Sequence, residues 1–336
     1  MYIVTHRRLF FSIIGAIFVI AIGSIAIFGL PLSIDFTGGS LVEVSYTGHR
    51  PDIDALSKSV NQLALGEVSV RESGDNGVML RTRTLTPAEH EELLAQLGTE
   101  IASSTASSTV ATASTTAAAS MTASTTALGT FTELRFNSIG PSLGNELATK
   151  ALYALIAVII AIMLYIAWAF RRVSRPVSSW VYGGIVVVIL FHDVLIPTGF
   201  YAILCHFTGS QVDSLFAVAL LAILGYSVND TIVIFDRVRE HLHNNEHAKL
   251  VEPFEETVGK SVTETMGRSI NTSLTVALAL IALVVFGSAE TRDFALVLLV
   301  GVIAGTYSSI LLAAPLLIPL GKRFAKAGDG NKKKKK

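Results

Sequence analysis

Asp230 stands where an ionised side chain is expensive. The stretch LLAILGYSVNDTIVIFDRVRE, Leu220 to Glu240, is apolar over most of the length of a membrane span, and Asn229 and Asp230 lie inside it. An ionised carboxyl near a bilayer centre costs about 2.5–3.5 kcal/mol on insertion scales, so such a group faces the protein interior or a wet cavity. Moving an ion is the chemistry to expect of it. Tyr226 and Ser227 lie one turn earlier on the same side of a helix, and with Thr231 they complete a polar patch. A later apolar segment opens with RSINTSLT, where Arg268, Asn271 or Thr272, and Thr275 recur at helical spacing and line one face. Running antiparallel from the same side of the membrane, that face is expected to reach Asp230, with Arg268 as counter-charge. A guanidinium favours the ionised form of a carboxyl and burial favours the neutral form, and a group held between the two can take and release a proton. His192 and Asp193 add a second acidic position inside another apolar run.

Structural roles compete with each of these. Asp230 could be only a hydrogen-bond partner between helices, Arg268 a boundary residue that snorkels to the headgroups, and His192–Asp193 an interhelical clamp. Asp236 and Arg237 read as interface residues. His241, His243 and His247 read as an exposed charged loop rather than a metal site.

The elements that must position these groups follow from hydropathy. Half of the 336 residues are apolar (51%) and few are charged (15%), which is the composition of a membrane protein. Long apolar runs lie near 9–30, 149–170, 180–206, 213–235, 271–288 and 294–320, each of about the 20 residues that a bilayer requires. The first follows His6-Arg7-Arg8 and is longer than the apolar part of a typical signal peptide, with no small-x-small cleavage site after it, so it reads as a retained span. Pro197 predicts a kink or an early end in the third, and Pro315 and Pro319 mark the end of the sixth. Basic residues gather before the first span, at RRVSR (Arg171 to Arg175), between Asp236 and Arg268, and in the tail, all of which alternate to one side. By the positive-inside rule both termini are cytoplasmic.

The domain boundaries expected are a first span at 1–30, an extracytoplasmic α+β domain at 31–146, a five-span membrane domain at 147–320 and a basic cytoplasmic tail at 321–336. Within the second, LVEVSY, EVSVRE, VMLRTR and FTELRFN read as strands, Asp52 to Leu63 as a helix, and LTPAEHEELLAQL as a helix capped by Thr86 with Pro87 in its first turn. The order βαββαβ is that of a ferredoxin-like fold. The segment 102–127 is almost wholly Ala, Ser and Thr and lacks the large apolar residues that would offset ordering entropy. Glu255 to Arg268 reads as a surface amphipathic helix. Gly225 and Gly183-Gly184 suit close helix approach, and Gly38-Gly39 a turn into the first strand.

No soluble-enzyme constellation is present in the sequence: no phosphate loop, no GxSxG, no His/Cys cluster with zinc spacing. The chain is not read as an enzyme, and no cofactor is expected beyond a proton gradient as energy source. Cys205 is the single cysteine, so no disulfide within the chain is possible. The run Lys332 to Lys336 is suited to anionic lipid or ribosomal RNA by charge alone, or serves only to enforce topology, and no nucleic acid is required.

IDFTGGSLVEV (Ile34 to Val44), FNSIGPSLGNEL (Phe136 to Leu147), FHDV (Phe191 to Val194), LGYSVNDTIVIFDRVRE (Leu224 to Glu240) and RSINTSLT (Arg268 to Thr275), in that order along nearly the whole chain, resemble the SecF family. DFTGG alone is weak, being shared with SecD; GYSVNDTIV followed by FDR and RSINTS is specific. The resemblance implies an α-helical polytopic membrane protein of six RND-like spans, paired pseudo-symmetrically with six from SecD, in the cytoplasmic (inner) membrane. It implies work beside the SecY–SecE–SecG channel and an accessory insertase, in which proton flow draws an unfolded polypeptide outward. On that likeness the family's intramembrane Asp matches Asp230 and its Arg matches Arg268. The candidate coupling set is therefore Asp230, Arg268, Asn229, Asp193, His192, Tyr226 and Thr272. The segment 102–127 and the polylysine tail depart from the family pattern. An RND-type exporter of small molecules or lipids, and a passive scaffold, remain the competing classes. The first would need a cavity in two large external domains, and the second predicts that Asp230 and Arg268 can be replaced together by apolar residues without loss.

Overall fold

The computed structural model describes residues 2–47, 50–66, 68–74, 76–107, 131–171 and 177–320. The chain divides into two compact units, Leu32–Thr149 and the remainder, Met1–Pro31 with Lys150–Lys336.

In the smaller unit the strands are β1 (Gly39–Tyr46), β2 (Ser69–Ser73), β3 (Gly77–Thr82) and β4 (Phe131–Ile139). Their order is β2-β3-β1-β4, and every neighbouring pair is antiparallel. The helices Ile53–Val60 and Pro87–Ser107 fall between β1 and β2 and between β3 and β4, which gives the ferredoxin-like arrangement. Strand alternation sends Val42, Val44, Val78 and Leu80 to one face, where Leu56, Val60, Leu93 and Leu97 of the two helices bury them. The turn of Gly38-Gly39 into β1 requires glycine twice. Gly38 has φ 74°, and a Cβ on it would lie 2.5 Å from Pro141 Cα. Gly39 has φ 128°, and a Cβ there would lie 2.6 Å from the Thr82 carbonyl oxygen.

Thr86 does cap its helix, and the cap is reciprocal. The Glu89 amide donates to Thr86 Oγ1 at 3.4 Å, and the Thr86 amide donates to Glu89 Oε2 at 2.8 Å. Arg83 closes the clip through a salt bridge to Glu89. That hydrogen bond, then the Thr86 amide and hydroxyl, bring Glu89 down to about 2. A carboxyl lowered on folding adds stability above its unfolded range and loses it as pH falls through the folded value. The clip's contribution is therefore complete at neutral pH and falls away progressively as pH drops from the ordinary carboxyl range to about 2. Thr86→Ala is expected to cost about 1 kcal/mol of local stability, read as about fivefold faster amide exchange at Glu89 and His90.

The larger unit contributes six helices long and apolar enough to cross a membrane: Arg7–Phe28, Pro141–Ala169, Ser179–Thr208, Ser214–His247, Phe254–Phe286 and Thr291–Leu320. We number the helices in chain order. α1 is Arg7–Phe28, α2 Ile53–Val60, α3 Pro87–Ser107, α4 Pro141–Ala169, α5 Ser179–Thr208, α6 Ser214–His247 and α7 Phe254–Phe286. α8 is Ala289–Ser308, continued by a π-helical turn at Ser309–Ala313.

Several expectations need correction. α5 does not end early at Pro197 but continues to Thr208, and Thr198 Oγ1 donates to the Val194 carbonyl at 2.7 Å beside it; helices tolerate an internal proline where packing holds them. Glu255 to Arg268 is no separate surface helix but the start of α7. Its charges are taken up locally, Lys260 by Glu252 and Glu256, and Glu264 by Arg237 and His241. His241, His243 and His247 lie on the last turns of α6, not in a loop. Gly225 faces open space, as does Gly184, whereas Gly183 sits against Met163. Arg7 pairs with Glu255 at 3.4 Å, so the start of α1 and the α6–α7 connection share one end of the bundle. The segment 102–127 falls largely, and the tail 321–336 entirely, outside the described residues.

Candidate functional site

α5 and α6 are the buried helices of the bundle, and α8 packs on both. Close approach is built from small residues. A Cβ on Gly199 of α5 would lie 2.6 Å from Ala21 of α1, and one on Gly305 of α8 would lie 3.0 Å from Ser227 of α6. Into this tight contact the sequence places carboxyls and hydroxyls.

Asp193 is fully buried, and both its carboxyl oxygens are bonded. Its Oδ1 accepts from His192 Nδ1 at 2.8 Å. Its Oδ2 accepts from Ser308 Oγ of α8 at 2.9 Å and from Ser227 Oγ of α6. With Nδ1 donating, a neutral His192 keeps Nε2 as an acceptor, and Tyr307 OH lies 3.4 Å from it. Phe18 of α1 stacks on the imidazole at 5.9 Å between centroids. Pro197, four residues on, has no N–H for the Asp193 carbonyl.

Asp230 is buried too, at 5% exposure, inside the bundle rather than on its outer surface. Its bonding differs. Oδ2 has no hydrogen-bond partner, and neither has Ser269 Oγ of α7. Ser269 and Ser273 are the hydroxyls that face the carboxyl, and Arg268 is near enough for its charge to act there. Ser273 Oγ lies 3.1 Å from Tyr226 OH and 2.6 Å from Thr306 Oγ1. One turn on, Thr231 Oγ1 and Ser309 Oγ are 2.8 Å apart, joining α6 to α8 at the π turn.

The structure thus brings Tyr226 and Asp230 into one polar layer and His192 and Asp193 into the adjacent one. It does not bring the other three candidates inward. Asn229, Arg268 and Thr272 are all exposed on this chain. Thr272 Oγ1 is spent on its own helix, donating to the Arg268 carbonyl at 3.0 Å, and Arg268 makes no ion pair with Asp230 within 4.0 Å. The expected face of α7 is off by one residue: Ser269 and Ser273 point inward, because the small side chains let α7 approach α6. The hydroxyls of α8, Thr306 to Ser309, went unread. Their signal was a polar run inside an apolar span, the same kind that exposed Asp230.

A bundle of six spans around buried carboxyls, with a ferredoxin-like lobe, defines a polytopic membrane protein with an ionisable interior. The family model of the C-terminal part of the protein export membrane proteins SecD/SecF matches residues 119–323, and that of the SecD/SecF GG motif matches 23–48. Protein translocase subunit SecF of Anaerolinea thermophila is 36% identical over 94% of this chain and 92% of its own length. That of Thermobaculum terrenum is 34% identical over 87% and 85%. The chain belongs to the SecF family of protein translocase subunits.

Among solved structures, SecDF of Thermus thermophilus, a translocon-associated membrane protein, is 28% identical with TM-score 0.72. The likeness covers 95% of this chain but only 38% of that one. A second SecDF structure, in a super-membrane-facing form, matches with TM-score 0.62 at 27% identity, over 98% of this chain and 39% of the other.

Proposed function

We propose that this chain works with a SecD partner in the inner membrane, both termini cytoplasmic, and uses the proton gradient to draw an unfolded polypeptide outward beside a SecY–SecE–SecG channel and its accessory insertase. The observation that carries the reading is Asp230. It is a buried carboxyl with one oxygen lacking a partner, set among hydroxyls on three helices. Such a group has a buried oxygen with no competing partner, whereas both oxygens of Asp193 are already held by donors.

The partner follows from what lies outside. Asn229, Arg268, Asn271 and Thr272 are exposed on apolar helices, and polar groups at membrane depth are costly against lipid. A second protein that covers them removes that cost, and the SecDF relatives carry this chain's counterpart inside a longer chain. In energy terms, one charge crossing the potential yields about 2.3 kcal/mol per 100 mV. A few protons per cycle can move a domain but not unfold a large substrate outright, which suits a pulling role after a primary motor.

The test is a proton-flux assay on vesicles that hold this chain together with SecD. Inward flux under an imposed gradient, present with both subunits and absent with either alone, is the expected result. Equal flux in vesicles lacking this chain would sink the reading.

A further inference from the structure

The connection from α4 to α5 carries charge of one sign only. From Lys150 to His192 the sequence holds Lys150, Arg171, Arg172 and Arg175 and no Asp or Glu. Spans in series alternate in direction, so this connection lies at the end of the bundle where α1 starts. Other cations at that end are answered within the chain: Arg7 by Glu255, Arg237 by Glu240 and Glu264, Lys260 by Glu252 and Glu256. Arg171 forms no ion pair among the described residues.

The connection buries its aliphatic and phenyl groups and turns its indoles and polar groups outward. Phe170 and Val177 are buried, and Phe170 stacks on Tyr182 at 5.2 Å. Ser179 Oγ donates to the Phe170 carbonyl at 2.6 Å, which ties the start of α5 to the end of α4. On this fixed floor lies an open cleft of about 440 Å³, with Leu164, Trp168, Arg171, Ser178 and Trp180 among its walls. Trp168 and Trp180 are 60% and 67% exposed, and the Arg171 guanidinium carbon lies 4.8 Å from the centre of the Trp168 ring. Ser178 Oγ makes no capping bond to α5.

The order of these groups along the helix axis matches that of a phospholipid. Leu164 precedes Arg171 by seven residues, about 10 Å at the helical rise. The interfacial layer on each side of the hydrocarbon core is about 5–8 Å thick. With Arg171 at the level of the phosphates, Leu164 therefore lies beside acyl carbons. The indoles fall between, where amphipathic rings collect. A guanidinium forks onto two phosphate oxygens, and a serine hydroxyl supplies a further donor. The choice of headgroup follows from charge. Nothing in the connection offsets its cations, so a net negative lipid is favoured. A choline ammonium would meet Arg171, which already covers one face of Trp168.

We propose that this cleft is a headgroup site for an anionic phospholipid, with Arg171 and Ser178 on the phosphate, the two indoles at the ester level and Leu164 under the first acyl carbons. The inference depends neither on Asp230 nor on proton flow.

Trp168 and Trp180 are the only tryptophans of the chain, so its indole fluorescence reports on this cleft alone. The full-length chain is placed in phosphatidylcholine nanodiscs that carry a minor fraction of either phosphatidylglycerol or phosphatidylcholine brominated close to the ester. The brominated phosphatidylglycerol is expected to quench roughly fivefold more strongly at equal fraction, the factor that one basic residue contributes near an anionic surface. Arg171→Gln is expected to make the two lipids equal. Arg8→Gln, at another exposed cation of the same end, is expected to leave the difference in place. Soluble glycerol phosphate is expected to change nothing. Equal quenching by the two lipids in the wild type overturns the site. So does an undiminished preference in Arg171→Gln, which would mark a diffuse positive surface. A response to soluble glycerol phosphate overturns the lipid as occupant. Should Arg171→Gln not insert, the wild-type comparison alone decides.

Discussion

Asp230→Asn removes all proton-dependent stimulation of export by this chain, leaving the level seen without it, while the protein still inserts and still binds its partner. The substitution is close to isosteric. The amide can hydrogen-bond to the hydroxyls of Ser269 and Ser273, so the contact of α6 with α7 survives. What it cannot do is gain and release a proton near neutral pH, as the carboxyl with its unpartnered Oδ2 can. The measurement is transport of a reporter precursor into inverted vesicles with and without an ionophore, alongside co-purification with SecD. Export at the wild-type level from the variant would remove Asp230 from the mechanism and favour the scaffold reading. Swapping Asp230 and Arg268 together for apolar residues separates the two further, since a scaffold tolerates the pair.

Asp193→Ala is expected to fail in the opposite way, by loss of fold. The side chain is the common acceptor for His192, Ser227 and Ser308, and it is completely buried. Removing it orphans the donors of His192 and Ser227, each at about 1–3 kcal/mol, while Ser308 Oγ keeps the Gly305 carbonyl at 3.1 Å, and it leaves a void besides. A loss of about 3 kcal/mol or more is a large part of a domain's net stability. The readout is a lowered melting temperature and yield in detergent. Asp193→Asn keeps one acceptor oxygen and should fall between. If Asp193→Ala melts like the wild type while export stops, Asp193 is a second carrier and not a keystone.

The order of elements was legible from hydropathy period and turn chemistry, and so was the polar patch of α6. Residues at helical spacing name a face; they do not say which of two neighbouring faces turns inward. RSINTSLT carries polar side chains on both stripes, Arg268–Thr272–Thr275 and Ser269–Ser273. The choice fell to the stripe whose side chains are short enough for α7 to close on α6, a fact about the neighbour's surface. The counter-charge argument pointed to Arg268, which is exposed on this chain and acts on Asp230 through its charge rather than through an ion pair within 4.0 Å. Continuity of α7 from Phe254 was hidden in the same way. A charged half and an apolar half look like two elements until ion pairs such as Arg237–Glu264, at 2.5 Å, show where the charged half is held. The run Thr306 to Ser309 is a polar break in an apolar span, the same kind of signal as the patch on α6.

α6 and α7, at 34 and 33 residues, are each about 50 Å long against a hydrocarbon core of about 30 Å. From Asp230 to the end of α6 is about 25 Å of rod, braced to α7 by Arg237 and Glu264. Geometry then provides amplification: a 10° swing pivoting at the carboxyl carries the far tip through roughly 4 Å, by simple projection along that length. Any tilt of α6 at the depth of Asp230 is thus multiplied along the beam into a displacement of atomic-diameter size at its tip.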